Sequence, residues 1–165
     1  LTSIANSATS KIVQWLSAPS GLNATISAIA EETSTPLQPV AARQFFTNNV
    51  ASDIAEKSEE VKYTAVYVYC DKIANTLNEK FRSFSGQLQM AIEVRVSQDR
   101  LDGLELSSQL YSESVTQTLN QIRGDWGNGL FYAGTYDVSF GPVKHGGKNF
   151  IKTVKITFPV EASVN

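Results

Sequence analysis

Polar and apolar residues alternate from Gln87 to Ser97, where Leu88, Met90, Ile92, Val94 and Val96 are set against Gln87, Gln89, Glu93, Arg95 and Ser97. A period of two is that of a strand with one face buried and the other in water. Between Leu104 and Ile122 the period lengthens, with Leu104, Tyr111, Val115, Leu119 and Ile122 recurring at spacings of three, four or seven. That spacing predicts an amphipathic helix. The breaker Gly124-Asp125-Trp126-Gly127-Asn128-Gly129 reads as a helix stop with Trp126 as an aromatic anchor. Alternation then resumes and predicts a strand over 132–140, a turn-forming connection over 141–149 and a last strand over 150–160. In that last strand Phe150, Val154, Ile156, Phe158 and Val160 share one face, and Thr153, Lys155, Thr157 and Glu161 share the other.

The first half is read the same way. Ile4, Ala8, Ile12, Trp15 and Leu16 predict a helix over 3–18, capped by Ser3 and stopped at Pro19-Ser20-Gly21. A second helix is expected from Asn23 to about Glu32, with Asn23 as its cap. The two should form an antiparallel pair whose apolar faces cover the later sheet. Pro36 and Pro39 open a long irregular stretch, and Phe45 and Phe46 argue that it is ordered. An extended arm or short strand over 43–51 is expected, packed on its own sheet or on a neighbouring subunit. Thr64 to Cys70 is rich in β-branched and aromatic residues and predicts a strand. Residues 71–84 read either as a short helix, from Ile73, Leu77, Phe81 and Phe84, or as an irregular lead into the next strand.

The expected fold is α+β: a mostly antiparallel sheet of about four strands, helices packed on one face, and an extended arm or long loop. One domain spans 1–165, divided into an N-terminal helical pair (1–32), the arm (33–62) and a strand-strand-helix-strand-strand core (63–161).

Composition narrows the function. A formal charge of −2 argues against a protein whose main work is gripping nucleic acid. The charge is uneven: residues 1–61 carry three basic and six acidic side chains, and 62–165 carry eleven basic and ten acidic. The single cysteine, Cys70, provides neither a disulfide framework nor a zinc pair, and reads as a small strand residue. No apolar run is long enough to cross a bilayer, and no secretory signal is expected. Asn23-Ala24-Thr25 fits the glycosylation acceptor pattern and reads as chance without a secretory route.

Catalytic material is sparse. His145, the only histidine, sits in Lys144-His145-Gly146-Gly147-Lys148 at the tip of an expected hairpin, without a second metal ligand at useful spacing. The neighbouring carboxylates Glu31-Glu32 and Glu59-Glu60, and the pair Asp99 and Asp102, do not face one another from separate elements as glycoside chemistry requires. No catalytic, cofactor-binding or metal-binding residue is assigned, and no enzyme activity is expected. Lys152 and Lys155 fall on opposite strand faces, which weakens any single basic patch.

The order of these elements resembles a known family. The opening Gly21-Leu22-Asn23-Ala24-Thr25-Ile26 pattern, the Tyr-Thr-Ala-Val-Tyr-Val-Tyr strand, the Gln-Leu-Gln-Met-Ala-Ile-Glu-Val-Arg-Val strand, the Tyr-Ser-Glu-Ser-Val-Thr-Gln-Thr-Leu helix and the closing hairpin carry the likeness. Together they are similar to the tail terminator and tail-completion (neck) proteins of long-tailed bacteriophages, in order and texture along most of the chain. The resemblance implies a homo-oligomeric ring at the head-tail junction of the virion, commonly of about six subunits, assembled in the host cytoplasm. Such a ring caps the tail tube, ends its polymerisation and meets a neck or head-completion protein, while DNA passes through the lumen without sequence-specific binding. On that reading Phe45, Phe46 and Val50 are candidates for the subunit interface. Lys144, His145 and Lys148 are candidates for a lumen or axial surface. The alternative is a small non-catalytic α+β module that binds a ligand or peptide, with Tyr67, Tyr69 and Phe131 as exposed aromatics lining a groove.

Overall fold

The structure, a computed structural model, describes residues 3–165. Along the chain stand helices α1 (Ile4–Ser17) and α2 (Leu22–Thr33), strand β1 (Phe45–Phe46), one helical turn α3 (Ser52–Ala55), strands β2 (Ala65–Ala74) and β3 (Phe84–Gln98), and helix α4 (Leu104–Gln121). Five strands follow: β4 (Gly124–Gly127), β5 (Leu130–Tyr132), β6 (Asp137–Phe140), β7 (Lys144–Gly146) and β8 (Asn149–Val164). The α+β class holds. The sheet does not have four strands but eight, curled and mixed, in the order β1-β2-β3-β8-β5-β4 with β6 and β7 also on β8.

The extra strands follow from the length of β8. Its sixteen residues pair along one edge with β3, from Phe84 opposite Val164 to Gln98 opposite Phe150. The other edge presents equally many backbone donors and acceptors that must be satisfied. Three short strands share that edge end to end: β5 at Ala162 and Glu161, β6 from Thr157 to Val154, and β7 from Ile151 to Asn149. The expected single strand over 132–140 is therefore broken. Phe131 pairs with Glu161 and Asp137 with Thr157, so five residues (132–136) stand opposite three (158–160) and the excess loops out.

The Gly124–Gly129 breaker contains more than a stop. It forms β4 and the turn of a β4–β5 hairpin, with Asn128 at φ 55° and Gly129 at φ 81°. Two consecutive positive φ angles match the twist of a tight hairpin, which an Asn-Gly pair adopts readily. A Cβ on Gly129 would stand 2.2 Å from the Ser163 carbonyl oxygen. Trp126 is the expected anchor. Its Nε1 donates to the Ile122 carbonyl at 2.7 Å, and its ring meets Trp15 of α1 edge-on with centroids 5.0 Å apart.

The helices cover one face of the sheet. Ala8, Ile12 and Leu16 of α1, Leu22 and Ile26 of α2, and Leu104, Tyr111, Val115 and Leu119 of α4 pack on Val66, Val68, Leu88, Met90, Ile92, Val94, Val154, Ile156, Phe158 and Val160. Each fully buried large side chain contributes roughly 1.5–3 kcal/mol. Ser3 caps α1 as expected, its Oγ accepting from Asn6 N. Asn23 does not cap α2, a place taken by Gly21. Instead the Asn23 side chain reads the backbone of Val40 in both directions, accepting from its N–H and donating to its carbonyl, each at 2.8 Å.

Residues 71–84 take the irregular alternative. β2 runs on to Ala74 past a bulge between Cys70 and Lys72, and no helix forms. The arm packs on its own sheet. β1 lies parallel to β2, with Phe45 opposite Val66 and Phe46 opposite Tyr67. Parallel neighbours need a long crossover, and the stretch 47–64 with α3 is that crossover. Gln44 ties it off, donating to the Glu60 carbonyl at 3.1 Å and accepting from Lys62 N at 2.6 Å.

Asn23→Ala removes both bonds to Val40 and should lower the unfolding free energy by about 1–3 kcal/mol. Chemical denaturation would show the shift in midpoint; an unchanged midpoint would mean the arm does not need this tie.

Candidate functional site

The second face of the sheet is where polar chemistry gathers. In β3 the residues alternate, so Glu93 and Arg95 point away from the helical core together with Ala91. The alternation predicts a solvated face here. The crossover covers it instead, and Phe46, Val50, Val61 and Tyr63 pack with Ala55, Ala65, Tyr67, Tyr69 and Ala91. Glu93 and Arg95 are thereby buried, Arg95 to 3% of its free exposure. Tyr67 and Tyr69 are buried too, so they do not form the exposed aromatic groove considered for a binding module. Phe131 remains exposed on β5.

Where the crossover meets the β6–β7 connection, a cleft of about 430 Å³ opens. Its floor is Tyr69 of β2, Glu93 and Arg95 of β3, and Thr153 of β8; Asn49–Ser52 and Ser139–Pro142 form the walls, and the partly exposed Lys155 and Lys144 stand at the mouth. Arg95 Nη2 donates to the Val50 carbonyl. The same nitrogen lies 3.5 Å from Glu93 Oε2, and the guanidinium carbon stands 4.0 Å from the centre of the Tyr67 ring. Lys155 lies 3.8 Å from Asp71 Oδ2 and 5.6 Å from the centre of the Tyr69 ring. Three cations and one carboxylate therefore line the cleft, with hydroxyls from Ser139 and Thr153. Such a set can hold an anionic group by charge-assisted hydrogen bonds.

Burial governs the tyrosines. It pushes Tyr63 up to about 12, helped by the charge of Glu56. Burial and then a hydrogen bond to Glu93 raise Tyr69 above its ordinary range. Burial also raises Tyr67, against the opposing pull of Arg95. On the core side, burial raises Tyr132 to about 12 and raises Tyr111, whose hydroxyl donates to the Gln38 carbonyl at 2.6 Å.

The residues singled out from sequence fall in two places. Phe45, Phe46 and Val50 are partly buried against the chain's own sheet: Phe45 toward the helical core, Phe46 stacked on Tyr67 with centroids 4.9 Å apart, and Val50 over Arg95. Lys144, His145 and Lys148 lie exposed on the β7–β8 hairpin, where His145 Nδ1 is 3.1 Å from the Gly147 carbonyl oxygen. Val50 and Lys144 are the two of these six residues that line the cleft. Lys152 and Lys155 do occupy opposite faces, and Lys152 is buried with its Nζ 2.8 Å from Glu105 Oε2. The cleft itself was missed in sequence because Glu93 and Arg95 match the polar side of a half-buried strand. Its available signal was the apolar Phe46 and Val50, which need a sheet face to cover.

The raised tyrosines carry a sign. Their hydroxyls stay protonated in the fold at pH values where an unfolded chain, titrating near 10, loses the proton. Stability is therefore full below about pH 10 and falls as pH rises toward about 12. Alkaline unfolding followed together with tyrosinate absorbance should show Tyr63 and Tyr132 ionising with the loss of structure. Their ionisation near 10 in an intact fold would contradict the burial described.

The chain matches no protein-family profile and no curated protein.

Proposed function

We propose that this chain is a structural subunit of a homo-oligomeric ring at the head-tail junction of a long-tailed phage, where it caps the tail tube and joins it to the neck. The observation that supports the reading is the end of the β2–β3 hairpin. Phe81 there is 97% exposed, and Leu77 and Ile73 beside it are also exposed. The segment is nevertheless held by specific bonds. Leu77 N donates to the Ser85 carbonyl at 3.0 Å, Glu79 N to Ser85 Oγ at 2.8 Å, and Ser163 Oγ to Glu79 Oε2 at 2.9 Å. Phe81 also adopts φ 64°, a conformation that a bulky side chain seldom takes. An ordered loop that displays a strained aromatic to water is a surface awaiting a partner.

A second set of exposed apolar residues, Phe131, Tyr136 and Phe140, lies on β5, β6 and the loop between them. Rings are built from contacts between two different surfaces of the same subunit. The hairpin end and the β5–β6 surface supply two such surfaces. In a ring the near-neutral charge lets DNA pass without tight binding, because every neutralised phosphate adds salt-dependent affinity.

Light scattering over a range of concentrations should find a species of about six subunits, or a monomer that closes into rings on tail tubes. The double variant Leu77→Ser/Phe81→Ser should remain monomeric with an unchanged unfolding midpoint, since these exposed side chains add little to the subunit's own core. A wild-type chain that stays monomeric at every concentration, even with tube and neck proteins, would sink the proposal.

A further inference from the structure

Among the described residues, five buried side-chain polar atoms have no hydrogen-bond partner, and all of them lie where the crossover meets the sheet: Glu56 Oε1, the Tyr63 and Tyr67 hydroxyls, and Arg95 Nε and Nη1. Unpaired buried donors are costly, most of all on a charged group. Arg95 is the extreme case. One of its nitrogens serves both Val50 and Glu93, and the other two have no hydrogen-bond acceptor, although the guanidinium stands over the Tyr67 ring. Its contact with Glu93, at 3.5 Å, is also longer than the roughly 2.7–2.9 Å of a closed charge-assisted bond. Here a buried guanidinium keeps donor capacity in hand, on the floor of a cleft that carries Lys155 and Lys144 as further cations.

The geometry points to a carboxylate-binding site in this cleft, with Arg95 as the buried anchor, Lys155 and Lys144 at the mouth, and Thr153 and Ser139 as hydroxyl partners. The ligand is a small acidic group, either free or carried on the side chain of a docked peptide. A volume of about 430 Å³ admits a group of that size with room left for the chain that carries it. The planar guanidinium matches a carboxylate better than a lysine ammonium does. Val50 holds Nη2 of Arg95, and Asn49–Ser52 wall the approach to the guanidinium, so a bound ligand lies against this segment. The site belongs to the single subunit and does not rest on the ring reading.

The test is titration of the full chain with glutarate, and separately with a short glutamate-containing peptide, at low salt and up to about 10 mM, followed by amide NMR. Saturable shifts are expected at Asn49–Ser52, Glu93, Arg95 and Thr153. Saturation by glutarate identifies a free carboxylate as sufficient, and saturation by the peptide alone identifies a docked segment as the source. Lys144→Met/Lys155→Met should weaken binding by about tenfold. Arg95→Gln should abolish it, and Arg95→Lys should lose most of it despite keeping the charge. If Arg95→Gln fails to fold, the lysine double variant still decides, because its changes lie at the mouth and not in the floor. Absence of saturable shifts with both ligands, or shifts that persist unweakened in the lysine double variant, would overturn the site.

Discussion

The backbone of Asn149–Val164 is the constraint on which the second half of the molecule depends. A strand of that length inside a sheet has two edges to satisfy. One is met by β3, a strand of nearly equal length, and the other is shared among β5, β6 and β7. Of these, β5 adds the buried Leu130 and Tyr132 to the core. The positions of the short strands follow from β8, and so do the excursion at 133–136 and the placement of Lys144 beside Ile151 at the rim of the cleft.

The two faces of the same sheet are stabilised by different physics. On the helical side, large aliphatic and aromatic side chains are close to fully buried, and a chain of ring contacts links Trp15, Trp126, Tyr132 and Phe158. On the other side the cover is the crossover 47–64, an irregular stretch with the single helical turn α3. What it covers is partly charged. Glu93 and Arg95 lie beneath it with incomplete partners, so this layer combines a small apolar cluster with an electrostatic cost. The stability of the first face lets the second hold such a group.

Long, strongly periodic elements were legible in the sequence. Helices α1, α2 and α4 and strands β2, β3 and β8 all follow from spacing of apolar residues, because each buries a continuous face. The four short strands β4 to β7 were not separable, since three or four residues cannot establish an alternation. One signal was present and went unread: Asn128-Gly129 is a hairpin dipeptide, yet beside Gly124 and Gly127 it looked like part of a simple stop. The role of Asn23 depended on Val40, seventeen residues away, and local capping rules do not reach that far. Burial of Glu93 and Arg95 was likewise a tertiary outcome, because alternation shows which face a residue takes and not what later covers that face. The exposed state of Leu77 and Phe81 reverses their helical spacing, as the segment that bears them never winds into a helix.

The place of β8 in the order of elements has a consequence for synthesis. Every partner of this strand precedes it in the chain, so β3 leaves the ribosome with one edge unpaired, β5 has only β4 to join, and β6 and β7 have no strand to join until β8 follows. A nascent chain at that stage presents open β edges and an apolar face, the conditions under which neighbouring chains aggregate. The sheet is complete only when the closing strand joins the long hairpin to the short strands.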